Sequence, residues 1–272
     1  MKKKIIKYKN NFRLSKESKT QEGFFYLVEK IIRSHPLLYI ISRSLIRYTN
    51  IFEVDFEGIK LINFDKNITI FDVGASDGIA SKFFLKNLSV KNIYCFEPDK
   101  TYVKVLKALN IKKLIIKPYG IGIRNFKSHI YMPRYKFFNK NFDLTTYSFF
   151  DKNYLIKQIN LDFSFKKNLS VTKKKVHIKR VNNINKKIDL IKVDTNGYEY
   201  QILVGLKNII NNYKPAIIIE TNQDILKIKK FLKKYSYICY YYNYKKKRLM
   251  SIKNKYPLNT FFLHKSHSIN QL

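Results

Sequence analysis

The chain has 272 residues, enough to bury a full core as one large domain or as one domain with an extension. Hydrophobic residues make up 45% and aromatics 15%, which excludes a disordered chain, and Cys95 and Cys239 lie far apart without CxxC spacing, which excludes a disulfide framework and a zinc site. The formal net charge of +35 would normally signal a polyanionic partner, but Lys, Asn, Ile, Tyr and Phe are abundant together while Trp is absent, so the charge reads as compositional drift and a solvated basic surface.

Residues 1–50 read as a basic, partly helical N-terminal extension, with the rest of the chain, 51–272, forming the main domain. Its first twelve residues, MKKKIIKYKNNF, lack the continuous apolar core and the small-residue cleavage site of a signal peptide. No apolar run approaches the roughly 18–20 residues needed to span a bilayer, so no transmembrane segment and a cytoplasmic location are expected. Residues 21–48 read as one or two helices, the second opening at Pro36 after Ser34-His35. Its sequence, PLLYIISRSLIRY (36–48), is apolar and basic, and fits either a helix packed on its own domain or a peripheral contact with an anionic membrane. Residues 51–65 alternate around a Gly and suggest a small hairpin.

From residue 67 strands and helices alternate. NITIFDVGASDG (67–78), NIYCFEPD (92–99) and KKLIIKPYGIGI (112–123) read as strands, separated by helical spacing at 78–88 and 101–110. Near-continuous apolar strands in such an order indicate a parallel sheet covered on both faces. Residues 124–187 interrupt the rhythm, with strand-like pieces at 128–133 and 170–181, and suggest an antiparallel insertion. The unit resumes with IDLIKVD (188–194), a helix at 197–211, PAIIIET (215–221) and a helix at 223–235. SYICYYYNY (236–244) and NTFFLHK (259–265) then read as a closing antiparallel hairpin.

The acids carry the functional information, since the chain holds 19 against 54 basic residues. Asp72, Asp77, Glu97, Asp99, Asp194, Glu199 and Glu220 all fall at or near the C-terminal ends of the expected parallel strands, the edge where open α/β sheets bind ligands. Gly74 and Gly78 sit in the first strand-to-helix loop, which is neither a P-loop nor GxGxxG. Glu97 ends the second strand, about twenty residues on, where a carboxylate can accept both hydroxyls of a ribose. Together these features describe a nucleoside-binding α/β domain. Lys192 and Asp194 are two residues apart in a strand and so share a face, either as a structural ion pair or as part of an active site. Asn196-x-x-Glu199 fits a capping box as well as a catalytic acid. Tyr147, Phe149 and Phe150 fit core packing or stacking on a sugar ring. The five histidines form no HxxxH or HExxH pattern, so no metal is expected.

FDVGASDG, CFEPDKTYVKVLKALN, GIGI, IDLIKVDTNGYEYQILVGL and PAIIIET follow one another in an order and spacing that resemble the FkbM family of S-adenosylmethionine-dependent methyltransferases, over residues 67 to 221. The resemblance implies a Rossmann-like class I methyltransferase sheet, mostly parallel, with seven strands and an antiparallel closing hairpin. It implies that Gly74, Ala75 and Gly78 line the amino-acid and ribose end of S-adenosyl-L-methionine, that Asp72 supports this loop or the cofactor's ammonium, that Glu97 holds the ribose with Pro98 shaping the turn, and that Gly120 and Ile121 pack the adenine. Lys192, Asp194 and Glu199 would face the transferred methyl. The chain departs from the family at Asn196, where Glu is common, at Arg180-Val181-Asn182, and at Gly120–Ile123. The implied activity is O-methylation of a hydroxyl on a sugar, a polysaccharide precursor or another small metabolite. Two alternatives stand beside it: an RNA methyltransferase using the basic surface, and a non-catalytic module docking on a membrane or polyanion.

Overall fold

The structure is a computed structural model that describes residues 35–48, 52–164, 166–181, 186–252 and 256–270. Expectations for residues 1–34 and for Asn182 lie outside the described residues. Helix α1 spans Pro36–Tyr48, and a 3-10 helix spans Val54–Leu61. The alternating sheet follows: β1 (Ile68–Val73), α2 (Ile79–Asn87), β2 (Val90–Phe96), α3 (Lys100–Ala108) and β3 (Leu114–Lys117). A second set comprises β4 (Gly120–Ile121), β5 (Phe126–Phe137), β6 (Lys140–Asp143), α4 (Lys152–Asp162) and β7 (Leu169–Lys179). The chain then returns through β8 (Leu190–Val193), α5 (Glu199–Gly205), α6 (Lys207–Tyr213), β9 (Ala216–Glu220), α7 (Ile225–Lys233), β10 (Tyr237–Asn243), β11 (Arg248–Ser251) and β12 (Asn259–His264).

The main sheet has the order β11-β10-β12-β9-β8-β1-β2-β3. Its five strands from β9 to β3 are parallel, and β12 enters antiparallel between β9 and β10. The sheet is mostly parallel and closed by antiparallel strands, as expected from the sequence. Every residue of β1 and β8 is buried, as continuous apolar strands with a layer on each face require. One core layer lies under α5, α6 and α7 through residues such as Leu203, Ile210 and Ile228, and the other under α2 through Phe83 and Phe84.

The third strand, expected over 112–123, ends at Lys117, and Gly120–Ile121 joins the second sheet as β4; the helix expected over 197–211 is two, α5 and α6; and the insertion contains the helix α4. Two further elements differ from the sequence expectation. Strands β10 and β12 do pair, but the turn at 245–247 leads first into β11, which takes the outer edge as an eighth strand. Its Leu249 is buried against the 3-10 segment, and that contact fixes a strand too short to stand out in the sequence. Residues 54–61 form no hairpin. Phe56 and Ile59 are spaced for one face of a 3-10 turn and both bury on the sheet. A Cβ on Gly58 would lie 2.9 Å from Phe261 Cζ, so the glycine lets the backbone rest on the strands.

The second sheet has the order β4-β7-β5-β6. Strands β5 and β7 pair antiparallel from Phe126↔Ile178 to Tyr135↔Leu169. One face buries Ile130, Met132, Val176 and Ile178. At the far end Tyr135, Tyr147, Phe149, Leu155, Ile159 and Phe163 form a cluster that α1 joins through Leu37, Tyr39 and Ile40. Lys174 on β7 ties this sheet to the main one, its Nζ 3.1 Å from Asp99 Oδ2.

Candidate functional site

Strand β1 lies between β2 and β8, so the connections leave it in opposite directions and open a crevice at the C-terminal ends of β1 and β8. Gly74 closes β1 at φ +77°, and a Cβ there would stand 1.8 Å from the Asp194 carbonyl oxygen. Only glycine permits the two strand ends to meet this closely. The loop is pinned to β2, because the N–H groups of Gly74 and Ala75 both donate to Phe96 O, at 2.9 and 3.3 Å. Gly78, at φ +80°, turns the chain into α2, with Leu106 and Leu109 filling the space beside it.

Glu97 leaves β2 with its carboxylate buried. Oε2 accepts from Ser76 N–H at 2.9 Å and Oε1 from Asp99 N–H at 2.8 Å. Burial raises its pKa to about 7 against the opposing pull of these two donors. Each oxygen keeps a lone pair for a further donor. Asp99 caps α3 through Thr101 N–H at 2.8 Å. Gly120 borders Pro98, while Ile121 joins the main core cluster with Phe96 and Tyr94.

Lys192 is the only buried cation among the described residues, whereas Asp72, Asp77, Glu97, Asp99 and Glu199 are buried acids, all on this one edge. Its Nζ lies 3.1 Å from Asp194 Oδ2 and 3.6 Å from Asp72 Oδ1, and donates to Gly74 O at 3.5 Å. Burial alone would lower the Lys192 pKa, but Asp194 and then Asp72 outweigh it and hold the ammonium above the usual lysine range. Asp72 Oδ2 accepts from Ser81 Oγ at 2.6 Å, and its Oδ1 has no hydrogen-bond partner, so Lys192 is what compensates it.

Asp194 is the accessible member, with its side chain 36% exposed. Val193 pairs with Ile219, so Asp194 and Glu220 follow side by side on β8 and β9. Burial, then the charge of Asp194 and a hydrogen bond to it, push the Glu220 pKa well above the carboxylate range. The shift favours the protonated form of Glu220, which can donate to Asp194, because two carboxylates so close resist ionising together. Among the described residues no group of His, Cys, Asp and Glu forms a metal-binding cluster.

Glu199 sits at the start of α5 and faces back into the loop. Oε1 accepts from Thr195 N–H at 2.9 Å and from Thr195 Oγ1 at 3.1 Å, and Gly197 N–H reaches Oε2 at 3.0 Å. Asn222 Nδ2 also donates to it. The residue preceding the helix is Tyr198, without a side-chain cap, so Glu199 performs the satisfying role that the capping pattern assigned jointly to Asn196 and Glu199. Asn196 stands at φ +52° and its Nδ2 donates instead to Thr146 O at 3.5 Å.

The structure thus brings Asp72, Gly74, Ala75, Lys192, Asp194 and Glu199 to one crevice, with Glu97 and Pro98 at the neighbouring strand end. Tyr147 and Phe149 pack in the satellite cluster, and Phe150 packs on Tyr198 with ring centroids 4.6 Å apart. His129 and His177 are exposed. Sequence reasoning missed Glu53, which acts electrostatically on both Lys192 and Asp194 and is held by Asn259 Nδ2 at 2.6 Å. It also missed Asn222. Both come from remote segments, and the early acid in a segment read as a hairpin was the one available signal.

A family model described as the methyltransferase FkbM domain matches residues 72–239. No curated protein matches the chain. Among solved structures, the chain is similar to methyltransferase FkbM from Methylobacillus flagellatus KT, at 14% identity and a TM-score of 0.46 over 75% of this chain and 45% of that one. The chain thus spans less than half the length of that protein. It is also similar to TrmK from M. capricolum in complex with S-adenosyl-homocysteine, at 12% identity and a TM-score of 0.38, covering 82% of this chain and 70% of that chain. A precorrin-6y C5,15-methyltransferase from Geobacter metallireducens GS-15 aligns at 10% identity and a TM-score of 0.36, covering 79% and 89%.

Proposed function

The chain belongs to the FkbM methyltransferase family, and on that premise we propose that it transfers a methyl group from S-adenosylmethionine to a hydroxyl of a sugar, a polysaccharide precursor or another small metabolite. The carrying observation is the partly exposed Asp194 set between buried Lys192 and Glu220, beside the Gly74 loop.

The residues fit the cofactor. Gly74 lets the loop after β1 close directly on the Asp194 carbonyl, which sets the edge of the crevice, and Glu97 presents two carboxylate oxygens at the strand end where a ribose is accepted. Ala75 and Gly78 complete the loop, Asp72 supports it through Ser81 and Lys192, and Gly120 with Pro98 would border the adenine. Ile121 supports that wall from the core. The bound cofactor supplies an electrophilic methyl on a sulfonium.

Asp194 orients the acceptor hydroxyl and takes its proton as the new carbon–oxygen bond forms. An aspartate paired with an ammonium, as Asp194 is with Lys192, is a weak base, but the hydroxyl becomes strongly acidic as its oxygen is alkylated, so a weak base suffices late in the step. Glu220 holds Asp194 in place, and Glu199 fixes the 195–197 loop without touching the reacting atoms. The five buried acids against one buried cation make the crevice electronegative, which favours a neutral hydroxyl over a phosphate at the reacting end. The reaction is placed in the cytoplasm as part of the same reading. Among the described residues no helix is long and apolar enough to cross a membrane.

A second reading, RNA methylation, is favoured by one observation. Lys127, His129, Lys173, Lys175, His177 and Lys179 alternate on one exposed face of β5 and β7. A steep loss of RNA affinity with salt would support it. The primary reading is tested by following methyl transfer to a panel of glycans. Asp194→Asn is expected to lower kcat by about 10²–10⁴-fold with S-adenosylhomocysteine affinity little changed, and undiminished turnover in this variant would refute the role.

A further inference from the structure

Among the described residues eleven large apolar side chains are exposed, and seven of them belong to three elements around one satellite cluster. Leu38, Ile41 and Leu45 lie on α1, Phe137 and Phe138 at the β5–β6 turn, and Ile156 and Leu161 on α4. The inner faces of these elements are joined. His35 meets Tyr135 at 5.6 Å and Tyr39 meets Phe163 at 6.0 Å between ring centroids. Their outer faces carry the apolar residues, with Phe138 83% and Leu45 62% exposed.

Lysines share these elements. Lys136, Lys140, Lys152, Lys157, Lys166 and Lys167 are exposed on the same elements and the loop after α4. Asp151 at the start of α4 is exposed, and its carboxylate is occupied capping that helix. Scattered lysines fit a solvated surface. Seven exposed apolar groups interspersed with lysines on adjoining elements do not, because exposing them to water is unfavourable and a neutral or cationic protein partner gains nothing from the lysines. An anionic bilayer satisfies both, with apolar side chains in the acyl boundary and ammonium groups at the lipid phosphates.

We propose that α1, the β5–β6 turn and the outer face of α4 form a docking surface for an anionic phospholipid bilayer. The surface adjoins the candidate site through Thr146. Its Oγ1 bonds to Tyr39 OH at 2.6 Å and its carbonyl accepts from Asn196 in the loop after β8.

The chain has no tryptophan, so Phe138→Trp in the full-length protein introduces a single reporter. With phosphatidylcholine vesicles containing a minority of phosphatidylglycerol, the indole emission should shift to the blue and be quenched by brominated acyl chains. The triple variant Leu45→Asn, Phe138→Asn, Leu161→Asn preserves net charge and should bind these vesicles at least about tenfold more weakly. Unchanged S-adenosylhomocysteine binding verifies the fold of each variant. Absence of quenching, or vesicle binding by the triple variant equal to wild type, would mean that bulk charge alone attracts the protein and would overturn the proposal. Emission already blue-shifted before lipid is added would overturn it too, by showing that another part of the chain or a second copy covers the face.

Discussion

Glu97 and Lys192 show how burial sets charge at this site. Both are buried acid–base groups, yet Lys192 has Asp72 and Asp194 beside it and stays charged, while Glu97 has only two backbone donors and is pushed up to about 7. A folded-state pKa raised above the unfolded value means that the protonated carboxyl favours folding. Its contribution is full below the ordinary glutamate range and is lost as pH rises through about 7. Ligand binding works the other way, since two ribose hydroxyls need the ionised form as acceptor. Affinity for S-adenosylhomocysteine is therefore expected to rise between about pH 6 and pH 8, with proton release on binding, and to flatten in Glu97→Gln. Calorimetry in buffers of different ionisation enthalpy measures this, and a flat wild-type profile would count against Glu97 as the ribose acceptor.

At the scale of elements, the crevice depends on two strand ends that touch. Gly74→Ala forces a Cβ against the Asp194 carbonyl at 1.8 Å and requires φ +77° of a non-glycine residue. The expected loss is more than about 2 kcal/mol in denaturant unfolding, together with loss of cofactor affinity. A fully stable variant that still binds would contradict the close approach. Much of this layout was legible in the sequence, because β1, β8 and β9 are buried on both faces and so appear as unbroken apolar runs ending in Asp72, Asp194 and Glu220. The pairing of Lys192 with Asp194 followed from their two-residue spacing. What was not legible depends on distant partners. The alternation in 54–61 suggested a strand, yet Gly58 and Phe56 pack on Phe261 and Phe84 from elsewhere in the chain. Strand β11 exists through edge pairing with β10, and Glu53 reaches the site through Asn259. A one-dimensional pattern carries no record of such contacts.

Over the whole molecule, charge is divided by location. The chain carries +35, yet the described residues bury five acids and a single lysine at one sheet edge. The basic exterior is free to meet an anionic surface, while the crevice remains suited to a cationic sulfonium and a neutral acceptor. The measurement that tests this account most directly is calorimetric titration of the full-length protein with S-adenosylmethionine and S-adenosylhomocysteine, with Glu97→Ala in parallel. Micromolar binding by wild type that collapses in the folded variant is the predicted result. A well-folded wild-type protein that binds neither ligand, or a Glu97→Ala variant that binds as tightly as wild type, would contradict it.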